Sequence, residues 1–400
     1  MYIKEVKDRK TAREFLKVPG RLYKNDPFWV SPQHSDIEAQ FNPDKNPFFD
    51  KGEAKRWIIK TSRGKLIGRI AAFYNQEKAH AEKVPSGGCG FFECVDDRKA
   101  AHLLFDTAAE WLRSKGMKAM DGPINFGEND SLWGLLVEGF THPGIGMPYN
   151  FPYYRDLFES YGFLVFFKQF SYHLDLNKSF PSRFWKIAEW VGKKPDLYFR
   201  HFKWSEADKF IKDTVTIYSE AWSAFKEDFT PLKEQTLRTT LEKARPILDE
   251  EIIWFAYHKN KPVAFFILMP DANQILKHMK GKMHWLNMIR FLYMKRNKKI
   301  TRIRAMAAGV VPKFQNSGIE SGIFWHLNEK MAGKTWYNEI ELSWVGDYNP
   351  KMIALYEAVG AEKAKTHHTY RYMIDECIPF ERFMPEKVKI TDKAKDLVKK

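Results

Sequence analysis

Apolar positions along the chain fall into two recurring patterns. Short runs bounded by turn residues predict strands: Arg56-Trp57-Ile58-Ile59-Lys60, a turn at Arg63-Gly64, then Lys65 to Ala71 make a hairpin. A second hairpin is predicted over Ile253 to Tyr257, a turn at Lys259-Asn260, and Pro262 to Leu268. Leu157-Phe158-Glu159-Ser160-Tyr161-Gly162-Phe163 is echoed by Leu355-Tyr356-Glu357-Ala358-Val359-Gly360-Ala361, and the separation of Gly162 from Gly360 nearly equals that of Gly64 from Asn260. Two landmarks recurring at one offset predict two copies of a single domain, joined between Asp175 and Asp196.

Each copy has the same predicted order. A strand (Tyr2–Val6; Leu197–Lys203) leads to a helix of period 3.6 (Thr11–Tyr23; Glu206–Trp222) and the hairpin. Then come a strand (Gly90–Val95; Thr301–Val311), a long helix (Arg98–Lys115; Ser317–Met331) and a strand (Lys118–Pro123; Glu339–Val345). A helix ending at the repeated glycine and a last strand (Leu164–Leu174; Ala364–Ile374) complete it. Helices alternating with strands predict an α/β layered (α+β) architecture with some parallel neighbours. The expected division is 1–178, 179–385 and an exposed basic tail at 386–400, in line with roughly 150–200 residues per core for a chain of 400. Gly281 to Arg296 is extra to the second copy and places Trp285, Leu286, Ile289, Leu292 and Tyr293 at helical spacing among basic residues. This predicts a basic amphipathic helix that either lies over a core or touches a membrane, the first being the commoner use.

Composition adds limits. The chain is 44% hydrophobic and 29% charged, and no run approaches the roughly 18 apolar residues of a spanning helix. The N-terminus reads as a strand without the apolar stretch of a signal peptide, and Cys89, Cys94 and Cys377 make no disulfide framework, so a reducing, cytoplasmic setting is expected. Cys89 and Cys94 read as buried free thiols. The formal charge is +15, and its placement is uneven: Ala272 to Ile319 contains eleven Lys and Arg and no Asp or Glu. Such a block either attracts an anion, whether cofactor phosphate, acidic lipid or nucleic acid, or is a solvated surface.

That block ends in a strand entering Val311-Pro312-Lys313-Phe314-Gln315-Asn316-Ser317-Gly318-Ile319-Glu320, after which a helix begins. Backbone N–H groups at a helix start, beside a glycine that admits close approach, form an anion site without dedicated side chains. The run resembles the acyl-CoA loop of the GCN5-related N-acetyltransferases (GNAT), whose pattern is Gln/Arg-x-x-Gly-x-Gly/Ala. Gln315 and Gly318 match, and Glu320 stands where Gly or Ala is expected. Asn349-Pro350-Lys351-Met352-Ile353-Ala354-Leu355-Tyr356 resembles the last helix of that family. The resemblance covers roughly 195–376 by motif and 1–175 by topology and repeat alone.

The resemblance implies two tandem GNAT-like domains with centrally splayed sheets, and acetyl-CoA or another acyl-CoA as co-substrate. It implies cofactor contacts from Val310, Val311, Gln315, Asn316, Ser317, Gly318, Ile319 and Asn349. An amine would attack the thioester directly, with backbone N–H groups near Val310 and Val311 facing the developing oxyanion and Tyr356 as the acid that protonates the departing thiolate. Strand alternation sets Glu339, Glu341 and Ser343 on one face, so Glu341 is either the base or a partner of nearby cations. Tyr356 is alternatively a packed aromatic.

The first copy lacks both pieces. Asp96 and Asp97 stand at its helix start and Phe158 at the place of Tyr356, so it is expected to be non-catalytic. Its loops, with Glu128, Asp130, Tyr149 and Asn150, either line an acceptor pocket or form elaborate turns. His367 and His368 point to opposite faces of a strand, and no metal site, Ser/His/Asp set or cysteine nucleophile is recognised. The leading expectation is an acyl-CoA-dependent N-acyltransferase acting on a small-molecule or peptide amine. The related alternative is aminoacyl transfer from a charged tRNA. The alternative of another class is a non-catalytic protein binding anionic lipid or nucleic acid through its basic surface. Acceptor, acyl length and oligomeric state stay open.

Overall fold

The computed structural model describes residues 1–81, 83–127, 131–223 and 231–384. Glu128, Asp130 and the tail at 386–400 lie outside them. The first half runs β1 (Tyr2–Glu5), α1 (Arg9–Leu22), α2 (His34–Gln40), β2 (Gly52–Lys60), β3 (Leu66–Asn75), α3 (Gln76–Ala81), β4 (Ser86–Cys94), α4 (Arg98–Ser114), β5 (Ala119–Gly122), β6 (Leu135–Glu138), α5 (Tyr154–Tyr161) and β7 (Leu164–Asp175). The second runs α6 (Ser182–Gly192), β8 (Leu197–His201), α7 (Ala207–Ser223), α8 (Glu234–Ala244), β9 (Ile253–His258), β10 (Lys261–Pro270), α9 (Asn273–Leu276), α10 (Trp285–Arg296), β11 (Arg302–Val310), α11 (Ile319–Met331), β12 (Glu339–Glu341), β13 (Val345–Gly346), α12 (Pro350–Ala358) and β14 (Glu362–Met373).

Local chemistry accounts for most of these elements. Lys259 and Asn260 take φ of 49° and 65°, the left-handed pair that a tight β9–β10 hairpin requires. Asp8 opens α1 by accepting from the Thr11 N–H at 2.7 Å while Thr11 Oγ1 accepts in return from the Asp8 N–H, a reciprocal cap. α4 buries Ala101, Leu104, Phe105, Ala108 and Leu112, the stripe of period 3.6 that faces the sheet.

The sheet is a single 14-stranded one of order β1-β2-β3-β4-β5-β14-β7-β12-β11-β10-β9-β8, with β13 also on β7 and β6 on β14. β4–β5 and β11–β12 are parallel, and the other pairs antiparallel. At the centre the last strand of each half has changed sides. β14 pairs with β5 (Arg371 opposite Asp121), β7 pairs with β12 (Ile340 opposite Leu174), and β7 and β14 pair with each other. The cores follow the exchange: Tyr370 and Ile374 are buried in the first-half cluster, Tyr172 and Leu174 in the second. Arg371 holds Asp121 with two bonds, Nε to Oδ1 at 2.6 Å and an Nη to Oδ2 at 2.7 Å, the fork geometry that fixes register as well as charge.

Two expectations are narrowed. α10 forms where the periodicity placed it, but the five residues that defined its apolar face cover no core: Trp285, Leu286, Ile289, Leu292 and Tyr293 are all exposed, and the helix rests on the second-half core through Phe291 and Met294 instead. The basic block is not all surface either, because Arg302 and Arg304 on β11 are buried.

Candidate active site

The site at the end of β11 is built by strand divergence. β11 and β12 pair over Arg302–Glu339, Ile303–Ile340 and Arg304–Glu341 only, so beyond Arg304 the edge of β11 carries no β12 partner. Val310 lies opposite Ala264, and the next residue donates its N–H to Val263 O at 3.0 Å. Alternation along an antiparallel ladder therefore turns the Val310 N–H and C=O away from β10, toward the wedge. The expected pair of oxyanion donors is reduced to one, since the Val311 N–H is already bonded within the sheet.

The loop that follows is held by its own side chains. Gln315 Nε2 donates to Val310 O at 3.2 Å, and Ser317 Oγ donates to Phe314 O at 2.6 Å. Asn316 and Gly318 take positive φ (63° and 77°), and Gly318 begins α11 with no side-chain cap. The left-handed φ favours glycine at 318, and a Cβ there would crowd Val191 Cγ2 on α6 at 3.3 Å. Ile319 is buried in the second-half core, while Asn316 and Ser317 are exposed. Glu320 lies half-buried in the first turn; burial pushes its carboxyl pKa up, and its own backbone N–H partly offsets that. The carboxylate thus stands at the positive helix end where an anion would bind.

The other predicted residues divide. Tyr356 Oη donates to Ser343 O at 3.3 Å, and burial lifts its pKa to about 12, so it carries its proton at neutral pH. Asn349 caps α12, its Oδ1 accepting from the Met352 N–H at 3.3 Å. Glu341 does not suit the role of base. Its side chain is buried, accepting from Lys365 Nζ at 2.9 Å and Ser171 Oγ at 3.2 Å, with an Arg302 Nη 3.3 Å away. Burial opposes its charge, but Lys365 and Arg302 outweigh it and hold the pKa below the usual carboxylate range. A carboxylate so stabilised stays ionised and takes up protons poorly. Arg302 in turn grips Asp271 through Nε at 2.8 Å and an Nη at 2.6 Å, completing a buried charge network at the strand exchange. Sequence reading offered cation pairing as one role for Glu341 but not its partners: Arg302 stood in a run read as anion-attracting or solvated, and Asp271 and Lys365 lie on other elements.

The corresponding turn in the first half is closed. Asp97 caps α4 by accepting from the Ala100 N–H at 3.1 Å, and Phe158 is wholly buried among Phe92, Phe105 and Phe163. A cavity of about 350 Å³ is lined mostly by this half, by Trp29, Phe91, Met147, Glu93, Arg69 and Tyr154 among others, and is completed by Asn273 and Leu276 of the second. Tyr154 Oη donates to Glu93 Oε2 at 2.8 Å and accepts from the Cys94 N–H at 3.0 Å. Tyr149 and Asn150 line the same cavity but are committed elsewhere. Tyr149 Oη donates to Asp26, and the Asn150 amide both accepts from and donates to the backbone of Leu136. None of Val310, Gln315, Gly318 and Tyr356 lines it. Burial raises both the Cys89 and Cys94 thiol pKa values, the latter to about 12, which leaves them inert. His367 packs on Trp133 and His368 on Tyr370, on opposite sides of β14.

No protein-family model matches the chain. It is similar to a bacterial ceramide synthase of Caulobacter vibrioides (strain NA1000 / CB15N), 28% identical over 373 residues that cover 91% of this chain and 95% of the relative. It is also similar to protein YghO of Escherichia coli (strain K12), 24% identical over 375 residues covering 92% and 94%. Among solved structures, a tandem GNAT protein from the clavulanic acid biosynthesis pathway superposes with a TM-score of 0.52 at 11% identity, over 95% of this chain and 99% of that one. Strand exchange, the wedge beyond Arg304 and the glycine-led start of α11 accordingly belong to a chain with the tandem GCN5-related N-acetyltransferase fold.

Proposed function

We propose that the second half is an acyl-CoA-dependent N-acyltransferase and that its acceptor is a long-chain amine of the sphingoid type. The observation that carries the reaction class is the uncapped start of α11 at Gly318, in the same half as a protonated, half-buried Tyr356. The acceptor class rests on similarity along nearly the whole chain to a protein named a ceramide synthase. Such a protein joins an acyl group to an amine, which agrees with the fold.

The residues fit an acyl-CoA. The first turn of α11 and the left-handed backbone at Asn316 and Gly318 would hold its phosphates, and exposed Lys313 adds positive charge. Bound there, an acyl-CoA supplies the activated carbonyl. The Val310 N–H, turned into the wedge, is placed to donate to an oxygen gaining charge, and the Tyr356 hydroxyl holds the proton that a leaving thiolate needs. The amine loses its own proton to solvent, since Glu341 is tied to Lys365 and Arg302. Glu320 supports a second reading, in which a carboxylate fills the anion position and the chain binds without catalysing.

The deciding experiment supplies purified protein with long-chain acyl-CoA and a long-chain amino alcohol, detects amide by mass spectrometry, and measures acyl-CoA binding by calorimetry. Amide formation abolished by Gly318→Asp is the expected result. Absence of both amide and binding, over short and long acyl chains, overturns the proposal in favour of the second reading. Binding and turnover of a short-chain amine alone would keep the reaction and discard the acceptor.

A further inference from the structure

α10 has its amphipathicity turned outward. Trp285, Ile289, Leu292 and Tyr293 follow i, i+4, i+7 and i+8, and are 71%, 58%, 49% and 68% exposed. Leu286 and Met288 widen the same face, and Met283 just before the helix is also exposed. The opposite side is anchored: Phe291 and Met294 pack on the second-half core, Asn287 Nδ2 donates to Lys282 O at 2.7 Å, and Lys295 Nζ donates to Pro246 O at 2.6 Å. The helix is therefore held in place with its apolar face to solvent, a contiguous patch of a kind that monomeric surfaces rarely leave uncovered.

The surroundings narrow what covers it. Lys280, Lys282, Arg290, Arg296, Lys298 and Lys299 are exposed around the patch. None of these six forms an ion pair among the described residues. No acidic residue occurs from Ala272 to Ile319 to neutralise them. A second copy of the chain meeting this face across a two-fold axis would set like charges against each other. Nucleic acid would satisfy the cations and leave six large apolar side chains in water. An apolar face rimmed by cations without carboxylate partners, of which Lys298 lies over the Trp336 ring, instead matches the boundary between anionic lipid headgroups and acyl chains, where aromatic residues also settle.

We propose that α10 lies in the plane of an anionic membrane surface, with Trp285, Ile289, Leu292 and Tyr293 among the acyl chains and the surrounding lysines and arginines on the headgroups. At 12 residues it is far too short to span, and no helix among the described residues is long and apolar enough to cross a membrane. The docked segment continues into a mouth: Lys277 and Lys280, just before α10, line a surface cavity of about 460 Å³ between α1 and the loop leading to α2. That cavity shares Trp29, Ser31, Pro32 and Ile37 with the first-half cavity. Docking would bring this opening to the lipid. The inference is independent of the acyl-transfer reading, because it rests on the face of α10 alone.

The test is co-sedimentation of the full chain with vesicles of phosphatidylglycerol and phosphatidylcholine in equal parts, against phosphatidylcholine alone. Binding to the anionic vesicles at least about tenfold tighter is expected, falling as salt rises. Trp285→Ser, Ile289→Ser and Tyr293→Ser combined should weaken it about tenfold or more while the thermal melt stays unchanged, since all three are exposed. Lys282→Glu with Arg290→Glu should reduce binding to the level seen on phosphatidylcholine. Equal binding to both vesicle types, or a triple serine variant that binds like the wild type, would overturn the proposal. So would light scattering showing a dimer that the serine variant dissociates, with no vesicle binding, which would assign the face to a second copy.

Discussion

The starts of α4 and α11 are the same turn in two copies of one domain, used differently. At α4 the Asp97 carboxylate accepts from the Ala100 N–H and neutralises the helix end internally. At α11 the same position in the fold is held by Gly318 at φ 77°, without a side-chain cap. The helix ends that follow differ in step: Phe158 is sealed in an aromatic cluster, whereas Tyr356 carries a hydroxyl that donates to Ser343 O. One side chain decides whether the helix start is neutralised from within, and the two copies differ in it. The two halves still cannot be separated, because each holds the other's last strand.

The largest predicted effect lies at that exchange. Glu341→Ala should destabilise the whole molecule by about 3–5 kcal/mol, because Lys365 is left buried without its carboxylate and Arg302 keeps Asp271 alone. Urea denaturation followed by circular dichroism measures it, and a loss below about 1 kcal/mol would mean that solvent reaches the pair.

Next comes the exchange of the paired aromatics. Tyr356→Phe should lower turnover about a hundredfold or more with little change in the melting temperature. Phe158→Tyr should leave turnover unchanged and cost about 1–3 kcal/mol, since it sets a hydroxyl among phenylalanines. Initial rates and thermal melts of both variants separate these outcomes. Equal rate losses in both would erase the distinction between the halves.

The smallest effect sharpens the contrast at α11. Burial raises the pKa of Glu320, so the folded state binds its proton more readily than the unfolded state. Stability is thus lost as pH rises from the ordinary carboxylate range through the raised value. Glu320→Gln should remove that part of the pH dependence, be the more stable protein at neutral pH, and bind acyl-CoA severalfold more tightly. Denaturation midpoints compared at acid and neutral pH, with calorimetry, test both. A variant that bound no better would place Glu320 away from the phosphates.

Most elements were legible in sequence because their causes are local. The left-handed pair Lys259-Asn260 turns its hairpin, and the stripe Leu104, Phe105, Ala108, Leu112 declares a helix facing a sheet. Gln315 and Gly318 were singled out by resemblance to the GCN5-related N-acetyltransferase loop, and the loop they make is closed by bonds within a few residues, Gln315 to Val310 among them. Glu341 stayed open between base and partner of cations, because alternation gives only the face on which a side chain lies. Its cations come from β11 and β14, far along the chain. The buried Glu93, Arg69 and Tyr154 carried no signal either, since their meeting joins β4, β3 and α5.

α10 marks the same boundary. Its apolar spacing predicted a helix with one oily face, and that helix is present; whether anything covers the face depends on where the rest of the chain is packed. By itself the sequence determined the repeat, the turns, the helix stripes and the glycine-led loop, all set by steric preference and hydrogen bonding over a few residues. Only the tertiary structure decided that β7 and β14 trade places, that Glu341 is neutralised, and that α10 stays bare. These depend on pairing between segments remote along the chain, whose energy exists only once the chain has closed on itself.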